Sequence, residues 1–244
     1  MSGHNKWSQI KHRKAAKDIK RSKMFTKVIK EITVAVKLGG EIVNNNFRLR
    51  SALEWAKAES MPADNVTQAI KKASKKLDTS LLEQITYEGY APGKIAIIVE
   101  CLTDNKNRTV ANLRCIFAKG GGQLANMNSV HHLFSKVALL KINKSVIDEE
   151  KLLDIVLDAG ANDINSDEDF FYVIADSHQL SSLHQKLTSF SIAIVRSEII
   201  MLPNHKITPA NEEEADKAIN LLQVLKDDDD VQKVFTNLKF DGAW

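Results

Sequence analysis

The chain has 244 residues, 43% hydrophobic and 27% charged, which is apolar enough for two or three packed domains and too apolar for a disordered chain. No run approaches the ~18 apolar residues of a membrane-spanning helix, and the polar and basic residues after Met1 are not those of a secretory leader. The net charge of +3 conceals a division: residues 1–80 carry 18 Lys/Arg against 7 Asp/Glu, and the remainder 16 against 24, an asymmetry that suggests a polyanionic partner.

The first segment, "GHNKWSQIKHRKAAKDIKRSKMFTKVIKEI", holds most of that positive charge. Phe25, Val28, Ile29, Ile32, Ala35 and Val36 fall at helical spacing, so a core-facing helix is expected, ending at Gly39-Gly40. At about 100° per residue, Lys20, Lys23, Lys27 and Lys30 share a face opposite that stripe. Ser22 is a candidate N-cap, and a break there removes Lys20 from the face but leaves the other three. A solvated face mixes signs, yet only Asp18 and Glu31 interrupt eleven Lys/Arg between Lys6 and Lys37. A phosphate backbone suits such a surface. A targeting peptide favours Arg and Ser and avoids acids, whereas this segment has nine Lys to two Arg and contains Asp18. A membrane-surface helix needs a free apolar face, and the Phe25 stripe is required for the core. Trp7 is either a core anchor or a platform for a base or sugar, and His12 adds charge at mildly acidic pH.

Two further stripes follow, Leu49-Ala52-Leu53-Ala56 and Val66-Ala69-Ile70-Ala73, separated by the helix-starting "SMPADN". Residues 1–80 are therefore expected to form a three-helix-type bundle. Beyond Leu82, strand-like runs ("KIAIIVECL", "LFSKVALLKI", "DFFYVIAD", "SIAIVRSEIIML", "VQKVFTNLKF") alternate with helical ones ("NRTVANLRCIFAKGG", "DEEKLLDIVLDAG", "HQLSSLHQKL", "NEEEADKAINLLQVL"). This is an α+β pattern. Residues 133–202 make a self-contained strand-helix-strand-helix-strand set, and the pieces on either side are too small to stand alone. The expectation is two α/β sandwich domains: a discontinuous one from 81–130 and 207–244, and one inserted between them at 131–206.

No catalytic arrangement stands out. "GYAPGK" has one residue too few for a phosphate loop and Ile95 where a magnesium-binding hydroxyl belongs, so Pro92-Gly93 is read as a turn between strands. The glycines of "KGGGQL" end a helix where phosphate binding needs a helix start. His131-His132, expected on opposite faces of a strand, lack companion ligands at metal spacing. Asp227 to Asp230 lack the pattern of a calcium loop and are expected to be a solvated turn. Glu212-Glu213-Glu214 suits a helix N-terminus. Cys101 and Cys115 suggest neither a disulfide framework nor a metal site and are expected to be small buried hydrophobes in a reducing cytosol, with a redox pair as the alternative.

The basic segment, with "MPADNVTQAIKKA", "YEGYAPGKIAIIVECLTDNKNRTVANLR", "KGGGQL" and "FTNL", resembles the YebC/PmpR family of transcriptional regulatory proteins. That family includes the mitochondrial translational activator of cytochrome c oxidase subunit I. The resemblance covers nearly the whole chain and implies three domains, a cytoplasmic location, and neither catalytic residues, cofactor nor metal. Its implied partner is DNA, with ribosomal RNA or mRNA as the alternative, and a protein on the acidic domains is a further candidate. The candidate nucleic-acid-binding residues are Lys6, Trp7, Lys11, His12, Arg13, Lys14, Lys17, Lys20, Arg21, Lys23, Lys27 and Lys30. The chain departs from the family pattern at Ala91, Lys94, Asn126 and Asn128, where glycines are usual, and at His132, where a larger aromatic is usual. Trp55 sits off its apolar stripe and is read as an exposed contact or an interdomain wedge.

Overall fold

The computed structural model describes residues 3–75 and 82–239, with side chains from Lys20 onward. The Phe25 stripe belongs to one uninterrupted helix, α1 (Gly3–Gly39), about 55 Å long at 1.5 Å per residue. Ser22 starts no new helix, because its carbonyl accepts from Thr26 Oγ1 at 3.1 Å inside α1. Gly40, at φ +81°, turns the chain out of the helix through a left-handed conformation open to glycine.

Asn46 joins α1 to the next helix, α2 (Phe47–Ala58). Its Oδ1 accepts from Leu49 N at 2.9 Å, and its Nδ2 donates to Ala35 O and Gly40 O at 2.7 and 2.8 Å. One buried amide thus serves the end of one helix and the start of another. Helix α3 (Ala63–Ser74) follows Pro62. Val28, Ile32, Leu49, Ala52, Ala56 and Ala69 form the core of this bundle.

Strands β1 (Glu83–Ala91) and β2 (Ile95–Thr103) form a hairpin across Pro92–Lys94, where Gly93 has φ +76°. Helix α4 (Lys106–Lys119) leads to the short strand β3 (Gln123–Leu124), which pairs with β1. An intervening unit runs through β4 (Phe134–Asn143), α5 (Glu149–Leu157), β5 (Ala161–Ser166), β6 (Phe170–Asp176), α6 (Leu180–Ser189) and β7 (Ile194–Pro203). Helix α7 (Glu212–Asp227) and strand β8 (Val231–Thr236) then return to the first sheet, where β8 pairs with β2.

Among the described residues there are seven α-helices and two four-stranded antiparallel sheets, ordered β3-β1-β2-β8 and β5-β6-β4-β7. The fold is α+β, an N-terminal helical bundle followed by two sheet units. The β4–β7 unit has the βαββαβ order of a split βαβ motif. It contains one strand more than the sequence pattern suggests, since β5, "ANDINS", is a polar edge strand without an apolar run. Helices α4 and α7 cover the first sheet around Ile97, Val99, Leu113, Phe117 and Leu221. Helices α5 and α6 cover the second around Leu140, Ile142, Val156, Val173 and Leu183. His131 and His132 lie in a 3-10 turn (His131–Leu133) before β4, not in a strand, and both are exposed.

The three units meet around charged and aromatic side chains. Trp55 on α2 is buried with the guanidinium of Arg196, on β7, 4.9 Å from its ring centre. It is not an exposed contact: it joins Leu49, Ala52 and Ala56 in the bundle core and meets β7 through Arg196. Glu54 on α2 accepts from Ser197 Oγ at 2.7 Å and pairs with His184 Nε2, on α6, at 2.6 Å. Lys233 on β8 pairs with Glu198 on β7 and donates to Ile199 O at 2.9 Å.

Candidate nucleic-acid interface

The twelve residues expected to grip phosphates divide along α1. The side chains of Lys6, Trp7, Lys11, His12, Arg13, Lys14 and Lys17 lie outside the described residues, although the helix that carries them is described. Lys20 is exposed. Arg21 is exposed too, donating to Ser60 O at 3.2 Å with its guanidinium over Phe25 at 5.2 Å.

The other three lysines have a different environment from the one expected. Lys23 Nζ donates to Asp227 O at 2.9 Å, and Lys27 Nζ to Lys226 O at 2.6 Å. Lys30 Nζ donates to Asp229 O at 2.7 Å and Leu102 O at 3.2 Å, and it pairs with Asp230 Oδ1 at 2.9 Å. The shared lysine face is present, but it docks on the C-terminal end of α7. The physical reason is that helix end itself, which offers carbonyls without intrahelical partners and the negative pole of the helix dipole. Asp227 to Asp230 add negative charge there.

Within the acidic run Asp227 and Asp229 are exposed, as expected of a solvated turn, whereas Asp230 is drawn into the junction. Asp230 accepts from Thr109 Oγ1 at 2.9 Å and from Arg108 at 3.3 Å as well as from Lys30. Burial works to raise its carboxyl, but the hydrogen bonds from Lys30 and Thr109 bring it below the usual range. Lys27 is 6% exposed, and burial lowers its ammonium from the ordinary value against the pull of Asp228 and Asp227.

Lys71, Lys72 and Lys75, at the end of α3 and just beyond it, are exposed and add positive charge that the sequence reading did not single out. The doubled lysines of "KKASKK" opposite the third apolar stripe were the signal for them.

Two of the four positions where glycine is usual keep the backbone that glycine would favour, whereas Ala91 has φ −84°. Lys94 has φ +59° and Asn128 φ +65°. Asn128 N, Val130 N and His131 N donate to the buried Glu88 carboxylate at 2.9, 2.6 and 3.2 Å, fixing that loop against β1. Among the described residues no group of three or more His, Cys, Asp or Glu is placed to hold a metal ion. No described helix is long and apolar enough to cross a membrane.

Family models match almost the whole chain: the TACO1/YebC protein N-terminal domain over residues 5–76 and the TACO1/YebC second and third domain over 82–238. A probable transcriptional regulatory protein of Desulfotalea psychrophila is 44% identical over 241 residues, covering 99% of this chain and 96% of its own. A namesake from Geobacter sulfurreducens is 44% identical over 237 residues, with coverage of 97% and 95%. The crystal structure of a conserved hypothetical protein from Aquifex aeolicus superposes with a TM-score of 0.82 at 36% identity, covering 90% of each chain. With all three parts of the fold matched, the chain belongs to the TACO1/YebC family.

Proposed function

We propose that this chain is a nucleic-acid-binding transcriptional regulator, without an active site, that grips DNA phosphates through the forward part of α1. The observation that carries the reading is the basic density from Lys6 to Arg21 on a helix whose rear lysines are anchored to α7. The names of the relatives support it. The forward residues Lys6, Trp7, Lys11, His12, Arg13, Lys14, Lys17, Lys20 and Arg21 contact the polyanion, and exposed Lys71, Lys72 and Lys75 extend the surface. Lys23, Lys27 and Lys30 hold the helix in place. Phosphate contacts alone give little sequence choice, so the basic helix contributes affinity and the rest of the chain selects the target. A cytoplasmic setting accompanies this reading.

The test is a salt titration of duplex DNA binding. Reversal of Lys14, Lys17 and Lys20 to Glu should weaken binding and reduce the salt slope by roughly one per lost phosphate contact, with the thermal midpoint unchanged. Reversal of Lys23, Lys27 and Lys30 should instead lower the thermal midpoint. An unchanged salt slope in the first variant rejects the phosphate grip.

The same surface suits folded RNA. Sedimentation with ribosomes at physiological salt after nuclease treatment, with no preference for promoter DNA, would replace transcription by translation as the process served.

A further inference from the structure

Helix α4 stands apart in charge from the unit it belongs to. Its four charged residues, Lys106, Arg108, Arg114 and Lys119, are all basic and all exposed. The rest of that unit, residues 82–105, 120–130 and 207–239, carries 5 Lys/Arg against 12 Asp/Glu. A surface of one sign on a unit of the other sign attracts a partner by charge, and here that partner is an anion.

The exposed side of α4 is distinctive in shape as well. Thr109, Leu113 and Phe117 form its buried stripe. At ~100° per residue, Asn107, Ala111, Arg114 and Ala118 share a second stripe, about 130° round the helix from the first. All four are exposed, and so is the small Cys115 beside them. Two polar side chains thus alternate with methyl groups on a face that lets another molecule come close to the helix backbone. Arg108 is already held by Asp104 and Asp230 at 2.7 and 3.3 Å, and Asn112 by Asp228. These acids lie on the other flank of α4, about 90–130° from the second stripe. Asn107 and Arg114 have no partner among the described residues. At the start of α4, Arg108 and the exposed Lys72 at the end of α3 line one groove.

We propose that α4 enters the major groove of duplex DNA and reads base edges there with Asn107 and Arg114. This assignment rests on the nucleic-acid binding proposed above, and it names the element that selects the target. The major groove of B-form DNA, about 12 Å wide, admits a helix, and recognition helices present their N-terminal residues to the bases. The Arg114 guanidinium offers the two-point donor that matches guanine, and the Asn107 amide offers the donor and acceptor that match adenine. The methyl groups of Ala111 and Ala118 suit that of thymine. Asn107 and Arg114 are about 10 Å apart along the helix axis, roughly the rise of three base pairs. Lys106 and Lys119 at the two ends of the helix, and Lys72 across the groove, meet phosphates. The deep, narrow major groove of A-form RNA is closed to side chains, so duplex DNA is the partner that fits.

The experiment mixes the full chain with a pool of DNA duplexes carrying a randomised central segment, at physiological salt, and sequences the bound fraction. Wild type should enrich a short motif, bound at least ~10-fold more tightly than the unselected pool. Arg114→Lys keeps the charge but loses the fork, so it should erase the preference at one or two positions and leave the salt slope unchanged. Asn107→Ala, which favours the helix, should relax the preference about three base pairs away. Thermal midpoints of both variants should match wild type, and should one fail to fold, the other decides. Salt-dependent binding without enrichment, or enrichment unaltered in a folded variant, overturns the proposal and leaves the phosphate grip of α1 standing. Absence of duplex binding at low salt rejects both. Preference for an RNA duplex pool, or a protein dimer that Arg114→Lys dissolves, assigns the face to another partner and likewise overturns the proposal.

Discussion

The ammonium of Lys27 on α1 lies 2.6 Å from the carbonyl oxygen of Lys226 on α7. A lysine of the first helix therefore caps the last one, between elements at opposite ends of the sequence. With Lys23 and Lys30 it fastens the helical bundle to the first sheet by charge and by main-chain hydrogen bonds.

Asp230 gives this junction a pH dependence. Its carboxyl is held below the usual range, so the folded state binds its proton less readily than the unfolded state does. The stabilisation is present above the unfolded value of about 3.9 and is lost as pH falls through the lower folded value. Asp230→Asn should cost about 1–2 kcal/mol at neutral pH. It should also flatten the acid side of the curve of thermal midpoint against pH, as read by circular dichroism.

Glu54 is the equivalent fastening on the second sheet. Truncation to Ala leaves His184, 7% exposed, and Ser197, 1% exposed, without their carboxylate. A loss of about 2–3 kcal/mol is expected in urea unfolding. Glu54→Gln, which keeps an acceptor, should lose less.

The two thiols should differ sharply. Burial, reinforced by the nearby Asp228 and Asp230, pushes Cys101 up to about 12, whereas Cys115 is exposed. Ellman's reagent should titrate one thiol rapidly in the native protein and both in denaturant. Rapid reaction of both in the native state would contradict the placement of β2.

Gly89 tests the packing of β1 against α4. A Cβ there would stand 2.5 Å from the Phe117 ring and 2.7 Å from the Gln123 carbonyl. Gly89→Ala should therefore destabilise the first sheet by about 1–3 kcal/mol, seen as a lower thermal midpoint. Gly40→Cys is no substitute for this test, since space there is open and only its φ of +81° resists a side chain.

Legibility followed the range of the interaction. The Phe25 stripe, the Gly39-Gly40 stop and the apolar run of β2 depend on neighbouring residues, and each appears in the sequence as the structure has it. Strands β1 and β5 escaped the apolar patterns because their sequences, "EQITYEGYA" and "ANDINS", are polar and partly exposed, held by pairing with β2 and β6. The lysine face of α1 was visible as geometry, but its cover was not. Nothing near Lys27 in sequence shows that a helix end 199 positions away will lie against it. Trp55 was legible as an oddity and intelligible only beside Arg196.

The return of α7 and β8 to the first sheet has a consequence for synthesis. During translation domains form in order from the N-terminal side, and α1 emerges long before the carbonyls of Lys226, Asp227 and Asp229 exist. Until then Lys23, Lys27 and Lys30 are bare cations on a nascent chain, beside the most polyanionic surface in the cell. Completion of β8 withdraws them. The junction between the first helix and the first sheet therefore closes only when the last elements of the chain have been made.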